Sequence, residues 1–145
     1  MFALRPATES DAATIRRIIH QAHINPMDLH WQRFILAVDE QGQVIGCGQV
    51  KQHGDGSLEL ASIAVIPAWQ KRGVASQIIE HLLSKYPGRL YLTCRSSLEP
   101  FYERFGFRAI GLVEMPPHFQ RMARLVNRLQ RLFSLSEGLS VMSRN

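Results

Sequence analysis

The sequence has few of the features that mark secreted or membrane-spanning proteins. Only two of its 145 residues are cysteine, and Cys47 and Cys94 lie far apart in apolar, strand-like stretches. One disulfide between them is conceivable, but their number and spacing fit neither a disulfide framework nor a zinc site. The longest strongly apolar run, Leu60 to Trp69, is far shorter than the ~20 residues that cross a bilayer.

The amino-terminal segment MFALRPATESDAATIRR also becomes polar and acidic too early for a signal peptide. We therefore expect a soluble protein in a reduced, cytoplasmic setting, with no membrane partner. Metal binding is not expected either. His20 and His23 have a metal-like spacing, but no third ligand accompanies them, and a metal site needs three or four converging ligands.

Acidic residues are outnumbered by basic ones. The chain carries 17 lysines and arginines against 12 aspartates and glutamates, which gives a formal net charge of +5. A basic excess favours anionic ligands or partners, such as coenzyme phosphates, nucleic acid or acidic protein, without choosing among them. Four arginines recur at helical spacing in the C-terminal third: Arg121, Arg124, Arg128 and Arg131.

The length and patterning predict one mixed α/β domain over residues 1–145. A chain of this size fits a single domain of ~100–150 residues, and it shows no repeat, low-complexity tract or linker. Apolar residues make up 46% of the chain, enough for a sizeable core. Strands are predicted at Phe2 to Arg5, Phe34 to Val38, Val44 to Gln52, Leu58 to Val65, Leu90 to Cys94, Phe107 to Ile110 and Ser140 to Ser143.

Helices are predicted between these strands from caps and from apolar periodicity. Thr8 and Asp11 resemble a capping box, and Ile15, Ile18 and Ile19 follow at helical spacing. The apolar strand from Leu58 to Val65 is expected to be central and covered on both faces. Further helices are expected from Gly73 to Tyr86, around Leu98 to Phe105, and at about 117–134, where the helix is amphipathic and rich in arginine.

The most informative segment joins the Leu58–Val65 strand to the helix that follows it. A helix N-terminus exposes unpaired backbone N–H groups and the positive end of the helix dipole, so phosphate binds there when no side chain blocks its approach. Gly73 permits that approach, and Lys71 and Arg72 add positive charge. Neither a Walker P-loop nor a G-x-G-x-x-G fingerprint is present. Taken alone, the segment is read most simply as an ordinary strand-to-helix turn.

A family resemblance changes that reading. The residues Gln70 to Ala75, preceded by Ile63 to Val65 and Pro67, resemble the acetyl-coenzyme A signature Q/R-x-x-G-x-G/A of the GNAT acetyltransferase superfamily. Further along, Phe101 to Phe107 looks like a second hallmark of that family, a tyrosine helix that ends in Gly-Phe. The opening Leu4 to Thr8 is similar to the family's first strand and helix start.

The resemblance implies a GNAT-like acyl-CoA N-acyltransferase fold, with six or seven strands flanked by helices. It also implies that backbone groups hold acetyl-coenzyme A, the pantetheine arm on the strand and the pyrophosphate on the loop. The residues so assigned are Ile63, Ala64, Val65, Gln70, Lys71, Arg72, Gly73, Val74, Ala75 and Ser76.

Two residues are predicted to move protons. Tyr102 matches the family tyrosine that lies near the coenzyme sulfur, so we expect it to be the general acid; otherwise it is a packed aromatic with a bonded hydroxyl. Glu59 matches the spacing of a base glutamate in some members, and a surface carboxylate or a water chain remains an alternative. Arg95 stands where many relatives have an asparagine, so the resemblance does not carry over the detailed coenzyme contact at this position.

The expected function is direct transfer of an acetyl group from acetyl-coenzyme A to an amine that the sequence does not identify. The acceptor is a small molecule or a protein, selected near Asp28, Trp31, Glu114 and His118. The arginine-rich helix leaves a homodimer open, while stacking on nucleic acid has no support, because its basic face lacks aromatic residues. The alternative is a non-catalytic acetyl-coenzyme A-binding regulatory or interaction module that uses this basic helix.

Overall fold

A computed structural model describes residues 1–133 and 138–145 of the chain. The described chain forms two compact units. The N-terminal unit comprises residues 1–51 and 60–86, and the C-terminal unit comprises residues 52–59 and 87–145. The organisation as a single domain stays a prediction, and each unit is described by itself.

The described strands form a seven-stranded mixed sheet in the order β1-β2-β3-β4-β5-β7-β6. This confirms the predicted α/β class with six or seven strands flanked by helices. The elements are β1 (Phe2–Pro6), α1 (Ala12–Gln21), β2 (Phe34–Asp39), β3 (Val44–Gln52), β4 (Leu58–Val65), α2 (Val74–Lys85), β5 (Leu90–Arg95), α3 (Glu99–Glu103), β6 (Arg108–Ala109), α4 (Pro117–Phe133) and β7 (Leu139–Arg144).

Two elements are shorter than predicted. The helix expected around Leu98 to Phe105 is a 3₁₀ turn followed by the single-turn α3, and β6 has two residues where four were expected. The strand β4 lies fourth in the sheet, as predicted, but only three of its eight residues are buried, so full cover on both faces was wrong. The final residue of the predicted 117–134 helix lies outside the described residues.

The N-terminal unit is built on antiparallel pairing of β1 with β2 and of β2 with β3. The helix α1 packs on this sheet through Ile15, Ile18 and Ile19, each at most 2% exposed, which confirms the predicted apolar face. Burying such a side chain fully contributes about 1.5–3 kcal/mol relative to leaving it exposed. The core that α1 covers includes Phe34 and Leu36.

The helix α2 approaches β3 closely because β3 carries two glycines. A Cβ atom on Gly48 would lie 2.6 Å from Cγ2 of Ile78 and 2.7 Å from Cδ1 of Ile63. A Cβ atom on Gly46 would lie 3.0 Å from Cγ1 of Val74. These glycines therefore serve helix–sheet packing.

In the C-terminal unit, β5 pairs with β7 and β7 with β6, all antiparallel, while Glu59 of β4 pairs in parallel register with Tyr91 of β5. The helix α4 packs through Phe119, which is fully buried against Tyr91. The arginines of α4 form a solvent-exposed face: Arg121, Arg124, Arg128 and Arg131.

Among the described residues, no helix combines the length and the apolar character needed to cross a membrane.

The start of α1 depends on the carboxylate of Asp11. Its two oxygens accept hydrogen bonds from the Arg5 guanidinium at 2.8 and 3.0 Å, and one of them accepts the Thr8 backbone N–H at 2.7 Å. The predicted pairing of Thr8 with Asp11 in a capping box is thereby confirmed. These bonds, with that of Arg5 first, hold the pKa of Asp11 well below its ordinary value.

We expect Asp11→Asn to lower the free energy of unfolding by about 1–3 kcal/mol, because hydrogen bonds to a charged group are lost. Since the folded-state pKa of Asp11 is depressed, its contribution is present above the unfolded pKa of ~3.9 and is lost as pH falls below that value. Denaturant unfolding from pH 7 to pH 3 should therefore show that the free energy of unfolding falls more steeply with pH for wild type than for Asp11→Asn.

The matched control is Glu9→Gln, which removes a neighbouring exposed carboxylate in the same turn. It should change the free energy of unfolding by less than about 0.5 kcal/mol. Equal losses for Glu9→Gln and Asp11→Asn would contradict the assigned role of Asp11.

Candidate active site

The loop between β4 and α2, in the N-terminal unit, has an unusual backbone. After a 3₁₀ turn at Pro67–Trp69, Lys71 adopts φ +63° and Gly73 adopts φ +83°, both in the left-handed region. Left-handed residues in such loops turn backbone N–H groups toward a common concavity that suits anions. Glycine reaches this conformation without steric cost, whereas lysine is strained in it.

The start of α2 leaves several N–H groups without a helical acceptor. The Gln77 N–H donates to the Gly73 carbonyl at 3.1 Å, which is the first hydrogen bond of the helix. The N–H groups of Val74 to Ser76 come before it and have no acceptor within the helix. Apart from Gly73 and its two chain neighbours, no described residue has an atom within 4 Å of the place where a Cβ of Gly73 would stand. With Lys71 and Arg72 exposed beside it, this open, positive helix start fits a phosphate group.

The loop is tied to the strand before it by the first residue of the signature. The Gln70 side-chain amide donates to the Val65 carbonyl at 3.1 Å. The guanidinium of Arg72 lies over the Trp69 ring at 4.9 Å. Gln70 thus orients the loop within the protein, a role that the sequence alone did not indicate.

The strand β4 is irregular just before the residues assigned to the pantetheine arm. Ser62 has φ +60°, a strained value for a residue other than glycine, and it precedes Ile63 to Val65 directly. Its hydroxyl accepts a hydrogen bond from the Gln49 amide at 2.8 Å, and its carbonyl accepts one from the Cys47 thiol at 3.4 Å. These two hydrogen bonds stabilise the irregular backbone of β4 at Ser62.

In the C-terminal unit, Tyr102 lies on α3 in an aromatic cluster. Its ring meets that of the buried Phe107 edge-on at 6.3 Å, and Phe101 lies 5.0 Å away. Burial, with a smaller effect of Cys94, raises the pKa of Tyr102 to about 12. None of the hydrogen bonds seen in residues 1–133 and 138–145 involves its hydroxyl, which leaves that group available to a ligand.

The two cysteines are free and buried, and neither is an activated thiol. Burial raises the pKa of Cys47 to about 12. Burial and the nearby charge of Glu99 raise the pKa of Cys94 to about 11. Both thiols therefore stay protonated near neutral pH, and Cys94 is a strand residue of the core, as expected.

Glu59 lies in β4 with a side chain only 12% exposed. Its Oε1 atom is 2.7 Å from Nε2 of His53, which also has a nearly buried side chain. The ring of His118 stacks on that of His53 with 3.5 Å between centroids and 13° between planes. The interpretation of Glu59 as a surface carboxylate is thus wrong, because it is buried and paired.

The start of α4 holds His118 in this position. The backbone N–H of His118 donates to Oδ2 of Asp55 at 3.0 Å, and the neighbouring Phe119 presents its ring edge-on to His53 at 5.6 Å. Hydrogen bonds from Ser57 first, and then from His118, lower the pKa of Asp55. The turn that contains His53 and Asp55 is therefore fastened to the first turn of α4.

His53, Glu59 and His118 are also the one group among the described residues with a metal-like set of ligand atoms, all within 4.8 Å of one another. The stacking argues against a metal there. An imidazole nitrogen binds a metal along its lone pair, which lies in the ring plane. The ring planes of His53 and His118 are tilted by only 13° and their centroids are 3.5 Å apart, so the two planes meet far from either ring. The lone pairs of the two histidines therefore do not converge on one ion.

The structure brings together only part of the predicted site. Glu59 and His118 meet in one cluster, whereas Glu114 pairs with Arg108 at the surface. Asp28 accepts the Gln49 amide through its backbone carbonyl. His53, which completes this cluster, carried no signal in the sequence that pointed to a functional role.

Comparison with known families agrees with the strand–loop–helix geometry. The sequence model of the acetyltransferase (GNAT) domain family matches residues 30–109, which is more than half of the chain. No curated protein matches the sequence significantly.

Several solved structures share the fold of this chain, and three of them are compared with it below. N-acetylglutamate synthase from Neisseria gonorrhoeae, complexed with coenzyme A and N-acetyl-glutamate, superposes with a TM-score of 0.78 at 22% identity, over 99% of this chain and 35% of its own. This chain thus spans about a third of that synthase. Rv2747 from Mycobacterium tuberculosis, in complex with CoA and NLQ, superposes with a TM-score of 0.72 at 23% identity, over 98% of both chains.

The ribosomal-protein-S18-alanine N-acetyltransferase from Escherichia coli gives a TM-score of 0.70 at 19% identity, over 99% of this chain and 93% of its own. Similarity at these identities establishes a shared fold, and the family match rests on the sequence. The chain belongs to the GNAT acetyltransferase family.

Proposed function

We propose that the protein is an N-acetyltransferase that moves an acetyl group directly from acetyl-coenzyme A to a primary amine. The observation that carries this proposal is the open, positively charged start of α2, which follows β4 through a loop with the family signature. Related structures of the same fold hold coenzyme A. The chemistry is a nucleophilic attack of the amine nitrogen on the thioester carbonyl, with loss of the coenzyme thiol.

In this proposal the coenzyme binds through backbone groups rather than through side chains. The N–H groups from Lys71 to Ser76 hold the pyrophosphate, and the helix dipole adds to their attraction. The backbone from Ile63 to Val65 pairs with the pantetheine arm, just after the irregularity at Ser62. Gln70 acts indirectly, because its side chain is already bonded to Val65.

Tyr102 assists the departure of the thiolate in this proposal. A tyrosine with a pKa of about 12 keeps its proton at neutral pH, so its hydroxyl is a reliable donor toward the sulfur. Its available hydroxyl and its buried surroundings favour this role over that of a packed aromatic. Tyr102 gives its proton to the departing sulfur, and the second proton released by the attacking nitrogen restores the Tyr102 hydroxyl.

Glu59 takes the first proton. The ammonium form of an amine, with a pKa of ~10.4 if it resembles lysine, must lose a proton before the nitrogen can attack. Glu59 is a buried carboxylate whose Oε1 is paired with His53, and within the described residues no hydrogen-bond donor is seen on its Oε2. Overall, the ammonium and the thioester yield an amide, the coenzyme thiol and one proton, which returns to solvent.

The acceptor class follows from the chemistry and from relatives whose names state a substrate. Those names include an N-acetyl-glutamate complex and an alanine acetyltransferase of a ribosomal protein, so α-amino groups are the first acceptors to test. Small polyamines, lysine side chains and aminoglycosides form the rest of the panel. Thiol release from acetyl-coenzyme A in the presence of each amine tests the function directly.

A second function, as an interaction module, is favoured by one observation on α4. Beside its arginine face, the helix exposes apolar side chains that its own unit does not cover: Leu125, Leu129, Leu132 and Phe133. A non-catalytic module would bind acetyl-coenzyme A without any steady thiol release. Steady release with one amine of the panel would therefore exclude a purely non-catalytic role.

We expect Tyr102→Phe to lower kcat about 100-fold, the usual size of general-acid catalysis, with little change in the Kd of acetyl-coenzyme A. Stopped assays of thiol release and equilibrium titration with acetyl-coenzyme A measure the two quantities. Tyr86→Phe, the same chemical change at the end of α2, is the control and should keep the wild-type kcat. Equal kcat in Tyr102→Phe and wild type would remove Tyr102 from the mechanism.

We expect Glu59→Gln to slow turnover near pH 7 and to recover as pH rises, because more of the amine is then already deprotonated. The pH–rate profile of thiol release from pH 6 to pH 10 measures this. The control is Glu40→Gln, at an exposed carboxylate in the β2–β3 turn. A Glu59→Gln profile parallel to that of wild type would show that water, and not Glu59, is the base.

A further inference from the structure

The base proposed above has one polar neighbour that neither the sequence signature nor the family match assigns. In the described residues, the polar contact of the Glu59 carboxylate is the Nε2 atom of His53, at 2.7 Å. A buried carboxylate has several orientations unless a hydrogen bond selects one, and catalysis requires the productive one. A donor on Oε1 leaves Oε2 directed elsewhere, available to an incoming amine.

His53 is itself held in one orientation. His118 covers one face of its ring at 3.5 Å, and the edge of Phe119 meets it at 90°. The backbone of His118 is in turn bonded to Asp55, two residues after His53. The ring of His53 is therefore clamped between the turn that carries it and the first turn of α4.

We propose that His53 is the positioning residue of Glu59, and that His118 keeps His53 in place by stacking on its ring. This inference rests on the proposed role of Glu59 as the base. It adds two residues to the proton-transfer part of the site and links the orientation of the base to the start of α4. The Nε2–H of His53 donates to Oε1 of Glu59, and no proton needs to pass between the stacked rings.

The charges around the pair agree with this division of roles. Burial first, and then the charge of His53, lower the pKa of His118, and Arg121 lowers it slightly further. Glu59 and Asp55 act in the opposite direction. The lowered pKa keeps His118 neutral near pH 7, which suits a ring stacked on another imidazole.

The kinetic test compares variants that differ in one property. His53→Leu removes the donor, whereas His53→Gln keeps an amide N–H near the place of Nε2. We expect kcat to fall about 100-fold in His53→Leu, as for a misplaced catalytic group, and His53→Gln to restore most of that loss. The acidic limb of the pH–rate profile should move to higher pH in His53→Leu only, and the Kd of acetyl-coenzyme A should stay constant.

The role of His118 is tested in the same way. His118→Phe keeps a stacked ring and should retain most of the wild-type kcat, whereas in His118→Ala kcat should fall about 10-fold or more. His20→Leu, at an exposed histidine of α1, is the control for histidine removal. Equal kcat and equal pH profiles for His53→Leu and His53→Gln would overturn the proposal, as would equal rates for His118→Phe and His118→Ala.

A second measurement separates failure of this inference from failure of the proposed function. Side-chain NMR titration of His118 needs no activity. Its midpoint should rise in His53→Gln, because the charge effect of His53 lowers the pKa of His118, and fall in Glu59→Gln, because that of Glu59 raises it. If wild type releases no thiol with any amine but both shifts occur, the cluster exists and the acetyltransferase role fails. If neither shift occurs, the positioning of Glu59 by His53 is refuted.

Discussion

The proposed coenzyme site depends on one backbone constraint, the left-handed conformation of Gly73 at the start of α2. It turns the chain from loop to helix with the first N–H groups unpaired, and the absence of a side chain keeps their approach open. The strained Lys71 and the bond from Gln70 to Val65 reinforce this geometry. Glycines of β3 contribute at a distance, because they let α2 pack closely on the sheet.

A second constraint is the burial of a carboxylate in β4. An unpaired charge in an apolar environment is costly, so Glu59 is retained in such a place only with a partner. His53 supplies that partner, and its stack with His118 spreads the constraint to α4. The C-terminal unit thereby holds the buried carboxylate that we propose as the base, while the N-terminal unit carries the loop suited to phosphate.

Local patterns predicted the fold well because they depend on near neighbours in the chain. The periodicity of Ile15, Ile18 and Ile19 predicted the buried face of α1, and the Thr8–Asp11 capping box was found where expected. The stack of His53 on His118 could not be predicted, because it joins a turn to a helix much later in the chain. The role of Gln70 was also hidden, since a motif letter does not distinguish a ligand contact from an internal hydrogen bond.

The most direct test of the coenzyme site is thermal unfolding of the protein with and without acetyl-coenzyme A. At ~100 times its Kd, a ligand that binds only the folded state adds ~2.7 kcal/mol of stability. We predict a clear rise in Tm for wild type and for the control Gly88→Glu, which adds the same side chain in open space at a glycine without a positive φ. Gly73→Glu, which places a negative charge at the helix start, should show no rise. No shift in wild type, or an equal shift in Gly73→Glu, would contradict the coenzyme site.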